Sequence, residues 1–434
     1  MKISLFQGVL LGVFSVAALI GLFVFATYTS NNTGGASAVG EVVVWGTLDR
    51  DRMQATLVAA AQIEPTLKGV SYVRKEPSTL AGELASAIAT GASPDLVLAS
   101  QEELLALSKY LTPIPYSTLS ARTFQNSFAA GANIFGALGE NYFGVPFLID
   151  PMVLFANRSI LASSGIARPP STWEELTGLV PNVVRTASGR QITRGLIALG
   201  TYSNVENARG ILSTLFLQTG VPVTGYTSTG VLTADLGSSQ NSGVPPGQAV
   251  LRFYSQFADP TKVSYTWSGS LPNSERFFQT GDLALYLGYA SRARYLREAN
   301  PNLDFVVVPV PQPATARDKS AYGLIYAFMI SRGSLNPSGA YQAAALLTNP
   351  ALQEAAAGAT GLAPASLTEL AKQPADPVLA VGYASALYTR GWLSPPPSDT
   401  DPIFSSMITN VNTGRTTLET ALSLAERQLS ALLQ

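Results

Sequence analysis

Three times between residues 41 and 103, a short apolar run gives way to a stretch of helical periodicity. EVVVW at 41–45 leads through Gly46-Thr47 into Met53, Leu57, Val58 and Ala61 on one helical face. GVSYVR at 69–74 precedes Leu80, Leu84, Ala87 and Ile88, a helix that should end at Gly91. Residues 96–99 then form a wholly apolar run. Ser100 and Glu103 follow at capping-box spacing and predict a helix at the strand's carboxyl end. An alternation of this kind folds into an α/β unit whose mostly parallel sheet is covered by helices on both faces. Ligands of such sheets sit beyond the carboxyl ends of the strands, here residues 45–49 and 100–101.

A chain of 434 residues is too long for one compact core and suggests two lobes. Lys and Arg number 27 against 28 Asp and Glu, with no basic cluster to track a phosphate backbone, so nucleic acid is not an expected partner. Only 13% of residues are charged, about half the usual ~25%, so the surface must rely on hydroxyls and amides. The chain has no His and no Cys, which removes disulfides, thiolate and imidazole metal sites, and every catalytic triad built on a His base. No catalytic set, metal site or cofactor site is identified.

The 19 residues from Gly8 to Ala26 carry no charge and follow Lys2. At ~1.5 Å per residue they span about 28 Å, close to a hydrocarbon core. Residues 1–30 therefore read as a transmembrane anchor, with a cleaved signal as the alternative because Ala36-Ser37-Ala38 resembles a cleavage site. Lys2 favours a cytoplasmic amino terminus and an extracytoplasmic remainder. Residues 31–40 (NNTGGASAVG) read as a flexible spacer.

Further along, YFGVPFLIDPMVLFANRSILASSG at 142–165 contains two apolar runs, 143–149 and 152–155, separated by Asp150-Pro151. Pro151 has no amide hydrogen and biases Asp150 toward an extended conformation, so the pair is expected to end one strand before the next begins. Ser171 and Glu174 predict another capping box. Strands are expected at 195–200, 282–288, 303–310 and 322–330, and helices at 209–219, 275–279, 339–347 and 351–357. Residues 226–247 read as an exposed loop or hairpin. A closing helix carries Leu418, Leu422, Ala425, Leu429 and Leu433 on one face, with Thr416 and Glu419 boxing its start.

Four stretches in this order resemble one family: GASPDLVLAS (91–100), YFGVPFLIDPMVLFANRSILASSGIARPPSTWEEL (142–176), FFQTGDLALYLGYASRARYL (277–296) and TGRTTLETALSLAERQLSALL (413–433). They are similar to the extracellular solute-binding proteins of ABC transporters, of the sugar-binding type that includes maltose-binding protein. The resemblance covers nearly all of the chain after Gly40. It implies a two-lobed, type II periplasmic-binding-protein-like fold that clamps a small ligand at a hinged cleft and delivers it to permease subunits, without chemistry. It also implies lobes at 41–149 with 307–350 and at 150–306 with 351–434, acting as a monomer. The lipid-attachment Cys usual in the family is absent, which would leave the amino-terminal helix as the tether.

A sugar-binding wall needs aromatic rings for C–H faces and polar side chains for hydroxyls. Position at strand ends selects Trp45, Thr47, Asp49, Ser100, Gln101 and Tyr202, although Trp45 could be core and Asp49 and Ser100 could be helix caps. Trp267 stands out as an aromatic in a polar loop, with Asn273 close behind it in sequence. Trp392 and Phe404 flank a proline-rich loop that they could instead only staple. The resemblance adds Asp150, where the family carries a ligand-binding acid, and Tyr289, where it carries an aromatic contact. Two other functions compete: a surface glycoside hydrolase, which needs two carboxylates about 5 to 9.5 Å apart, such as Asp49 and Asp150, and a receptor or adhesion module uncoupled from transport. A polyamine ligand would require several cleft carboxylates, and these loops offer few.

Overall fold

The computed structural model describes residues 39–188, 191–237 and 243–434. The expected amino-terminal anchor or signal, and the spacer as far as residue 38, lie outside the described residues. Among the described residues no helix is long and apolar enough to cross a membrane.

The opening alternation forms a parallel sheet, as its pattern dictates. Strand β1 (Val42–Gly46) lies between β2 (Val70–Arg74) and β3 (Leu96–Ser100), parallel to both. Helices α1 (Arg50–Ile63) and α2 (Pro77–Ala89) make the crossovers. Pro77 opens α2 in the first turn, where a missing N–H costs nothing. The helix expected directly after Ser100 is a single turn, Leu104–Leu107.

The two apolar runs around Asp150-Pro151 do not form separate strands. They form one continuous strand, β4 (Val145–Asn157), buried at all 13 positions. Along its first half β4 runs antiparallel to β8 (Ala321–Ser331), ending with Asp150 opposite Leu324 and Pro151 opposite Gly323. From Met152, opposite Tyr289, it is flanked instead by β6 (Leu283–Tyr289) and β7 (Phe305–Pro309). Pro151 thus falls where the partner strand changes, so its missing amide hydrogen interrupts neither ladder. With β5 (Ile192–Ile197) parallel to β6, the sheet order is β2-β1-β3-β8-β4-β6-β5.

Two cores follow from this pairing. Val42, Leu96, Phe147, Ile149 and Phe328 belong to the first, and Leu154, Phe155, Phe278, Tyr286 and Phe404 to the second. The packing sorts two segments differently from the sequence reading. Val307 and Val310 pack in the second core, because β7 pairs with the second half of β4. Leu352, Ala356, Ala357 and Leu362 pack in the first, where Arg52 of α1 donates to the Thr360 carbonyl at 2.9 Å. The loop read at 226–247 contains a hairpin strand, Leu232–Asp235, paired with Val223–Tyr226. Glu175 rather than Glu174 bonds Ser171, and Thr417 rather than Thr416 caps the last helix, because the backbone turns one residue later than the spacing suggested.

Candidate functional site

A cavity of about 510 Å³ opens between the two cores. Thr47, Ser100, Glu102, Glu103 and Tyr326 line its first-core side. Tyr202, Arg209, Asn273, Tyr289 and Asp401 line the opposite side. The second wall is built around helix α3 (Ala208–Gln218), whose first turn reaches the cavity. Asn207 precedes it in the left-handed region at φ 59°, a conformation that Asn tolerates better than most side chains, and its amide nitrogen donates to the Tyr286 hydroxyl at 3.3 Å.

Arg209 ties the walls together. Its guanidinium lies 2.5 Å from the Glu102 carboxylate across the cavity and 3.3 Å from Asp401 on its own side. The side chains of Arg209 and Glu102 are only 11% and 9% exposed, so this ion pair is desolvated. Burial alone would lower the guanidinium pKa, but Glu102 and the neighbouring tyrosines outweigh it and raise the pKa. Tyr322, fully buried, donates its hydroxyl to Glu102, and Tyr202 donates to Asp401 at 2.7 Å.

Glu103 accepts from the Ser100 amide at 2.9 Å and from the Ser100 hydroxyl at 2.7 Å. Desolvation, and then the charge of Glu102, push its carboxyl up to about 7 in spite of these bonds. Burial also raises the phenol of Tyr289 well above its ordinary value, with Glu102 adding to the effect, so Tyr289 stays a neutral hydrogen-bond donor. The arrangement presents aromatic faces, donors and acceptors to a solute. Among the described residues no group of three or more acidic side chains is placed to hold a metal ion.

Residues 66–379 match the model of the bacterial extracellular solute-binding protein family. The chain belongs to this family. Its members are binding proteins rather than enzymes, and the family places this solute-binding protein outside the cytoplasm. By sequence alone no curated protein matches it. Among solved structures it is similar to a cyclic alpha-maltosyl-1,6-maltose binding protein from Arthrobacter globiformis, at 16% identity and TM-score 0.73, covering 91% of this chain and 98% of that one. It is also similar to a cyclo/maltodextrin-binding protein complexed with maltotetraose, at 18% identity and TM-score 0.73, covering 93% and 99%. A Thermus thermophilus maltotriose binding protein matches at 17% identity and TM-score 0.65, covering 91% and 100%. At such identities these likenesses establish the shared α/β fold.

Of the residues singled out by sequence, the solute-binding protein brings Thr47, Ser100, Tyr202, Asn273 and Tyr289 to the cavity. Asn273 also caps the helix Ser274–Gln279 and donates to Glu206 at 2.7 Å. The others are placed elsewhere. Trp45 is half-buried against the first core, under the Lys75 ammonium at 3.9 Å from its ring centre. Asp49 caps α1, accepting from the Arg52 amide at 3.0 Å. Gln101 is wholly buried and brackets β8, donating to the Gly323 carbonyl at 3.0 Å and accepting from the Ile325 amide at 2.6 Å.

Trp267 is no exposed platform but a fully buried core ring, edge-on to Phe277, with its indole N–H on Asn204 at 3.2 Å. Trp392 and Phe404 likewise pack edge to face in the second core, and Trp392 donates to Ser213 at 3.0 Å. Apolar burial claims such rings wherever a core is in reach. Asp150 is buried and does not line the cavity. Its carboxylate takes the Ser291 amide at 3.0 Å and hydroxyl at 2.5 Å, at the start of the helix Arg292–Ala299. Desolvation pushes Asp150 up to about 6 against these bonds. The Asp49 and Asp150 pair weighed for hydrolysis is therefore not assembled. The sequence reading missed Glu102, Glu103, Glu206, Arg209 and Asp401 as cavity residues, four of them carboxylates, because it stopped one residue short of Glu102, gave Glu103 only a capping role and took Arg209 only as the start of an apolar helix.

Proposed function

We propose that this solute-binding protein captures a carbohydrate, most simply an oligosaccharide, by closing its two walls on it, and delivers it to an ABC importer. The observation that carries the reading is the cavity itself. Tyr202 and Tyr289 stand beside a desolvated Glu102–Arg209 pair and several further hydroxyl and carboxylate groups, a combination suited to both the C–H faces and the hydroxyl edges of a sugar. The cited structures of similar fold bind maltooligosaccharides, which supports the same ligand class. Closure would turn on the crossings of β4 at Asp150-Pro151 and of β8. The protein would act as a monomer on the extracytoplasmic side of the cell membrane, tethered by residues 1–30 or released if they are cleaved.

Four carboxylates against one guanidinium also favour a second reading, a cationic ligand such as a polyamine. Calorimetry of the purified protein against oligosaccharides, amino acids and polyamines separates the two. Binding of an oligosaccharide, lost on Tyr289→Ala, is the expected result. Heat from polyamines alone, or from no carbohydrate, would refute the sugar assignment.

A further inference from the structure

A second, more enclosed void of about 270 Å³ adjoins the main cavity. The two share Pro77, Glu102, Glu103 and Pro397, so the acidic pair stands at the passage between them. Beyond that passage the wall changes chemistry. Ala81 of α2 and Ala106 face the void from the first-core side, and Pro396 and Pro397 from the other; the hydroxyls of Ser78 and Ser398 are its remaining polar groups. Among the described residues no aromatic ring and no cation lines it, so it offers neither a stacking face for a further sugar unit nor a partner for an anion. Three of its nine lining residues are prolines with fixed φ, so the backbone of each wall is locally restrained. Glu103, half protonated near neutral pH, is also a tolerable neighbour for hydrocarbon.

We propose that this void is a subsite for an apolar aglycone. The ligand is a glycoside whose sugar occupies the main cavity, while its apolar group passes Glu102 and Glu103 to lie among Ala81, Ala106, Pro396 and Pro397. This rests on the carbohydrate reading of the main cavity and names the part of the ligand that reading leaves open.

The test uses the sugar that binds in the calorimetric panel, presented as its methyl glycoside and as its octyl glycoside below the micellar concentration. Burial of only two methylene groups is worth roughly tenfold in affinity, so the octyl glycoside should bind at least about tenfold tighter. Ala81→Leu and Ala106→Leu fill the void from two different elements. Each should remove the octyl advantage and leave methyl glycoside binding unchanged. Equal affinity for the two glycosides overturns the subsite while the carbohydrate reading stands. An octyl advantage undiminished in both variants places the alkyl group elsewhere and also overturns it. Absence of binding by every sugar and glycoside overturns the carbohydrate reading, and the subsite with it.

Discussion

Replacing Arg209 by Met tests whether one ion pair joins the walls of the cavity. Met keeps most of the aliphatic volume in α3 but leaves Glu102, 9% exposed, without its cation and with Tyr322 as its remaining strong donor. Breaking a buried pair from one side typically costs about 3–5 kcal/mol, because a desolvated charge is left uncompensated. Urea unfolding of wild type and Arg209→Met at neutral pH, followed by circular dichroism and tryptophan fluorescence, should show a deficit of this size. The double variant Arg209→Met with Glu102→Gln removes the stranded charge and should recover a good part of the loss. A deficit under about 0.5 kcal/mol, or a double variant no more stable than the single, would refute the assignment of a desolvated pair.

Three further outcomes are expected. Asp150 titrates at about 6 in the fold against 3.8 ordinarily, so its contribution is fully present below pH 4 and lost as pH rises through 6; the stability of wild type relative to Asp150→Asn should fall by up to about 3 kcal/mol between pH 4 and pH 7, and parallel pH profiles would exclude this. A Cβ at Gly210 would stand 2.7 Å from the Met152 methyl and 2.9 Å from the Tyr289 hydroxyl. Gly210→Ala should therefore displace Tyr289, costing about 1–3 kcal/mol of stability and at least roughly tenfold in ligand affinity, and calorimetry showing wild-type affinity would remove Tyr289 from the site. Trp267→Ala should cost about 3–5 kcal/mol in urea unfolding, as expected of a buried core ring; a loss below 1 kcal/mol would contradict its burial.

The parallel unit of the first hundred residues was legible because each strand and helix there carries its own period, and the period is local. The family resemblance was legible for the same reason, since short stretches in a fixed order survive in sequence. Half-legible was the pair Asp150-Pro151. Its chemistry marks a change in the chain, but β4 runs straight through it, and what changes is the partner strand, from β8 to β6. Pairing partners lie more than a hundred residues away and leave no local trace.

The sites were the hardest to read. Thr47, Ser100 and Tyr202 could be found because the crevice of an open α/β sheet lies at strand ends, and Tyr289 because the family resemblance marked its position. Trp267 and Gln101 look alike in sequence to cavity-lining residues, yet one is consumed by a core and the other by backbone bonds to β8. Glu102 and Arg209 show the converse: neither has a distinctive neighbourhood in sequence, and they meet only because two cores are packed across a cavity. Local periodicity and composition were thus enough to settle the α/β class, the opening parallel unit and the exclusion of His and Cys chemistry. Which polar groups lose their water, and which opposite charge they then require, was decided by the packing of the two walls, because desolvation belongs to the assembled structure and to no single stretch of chain.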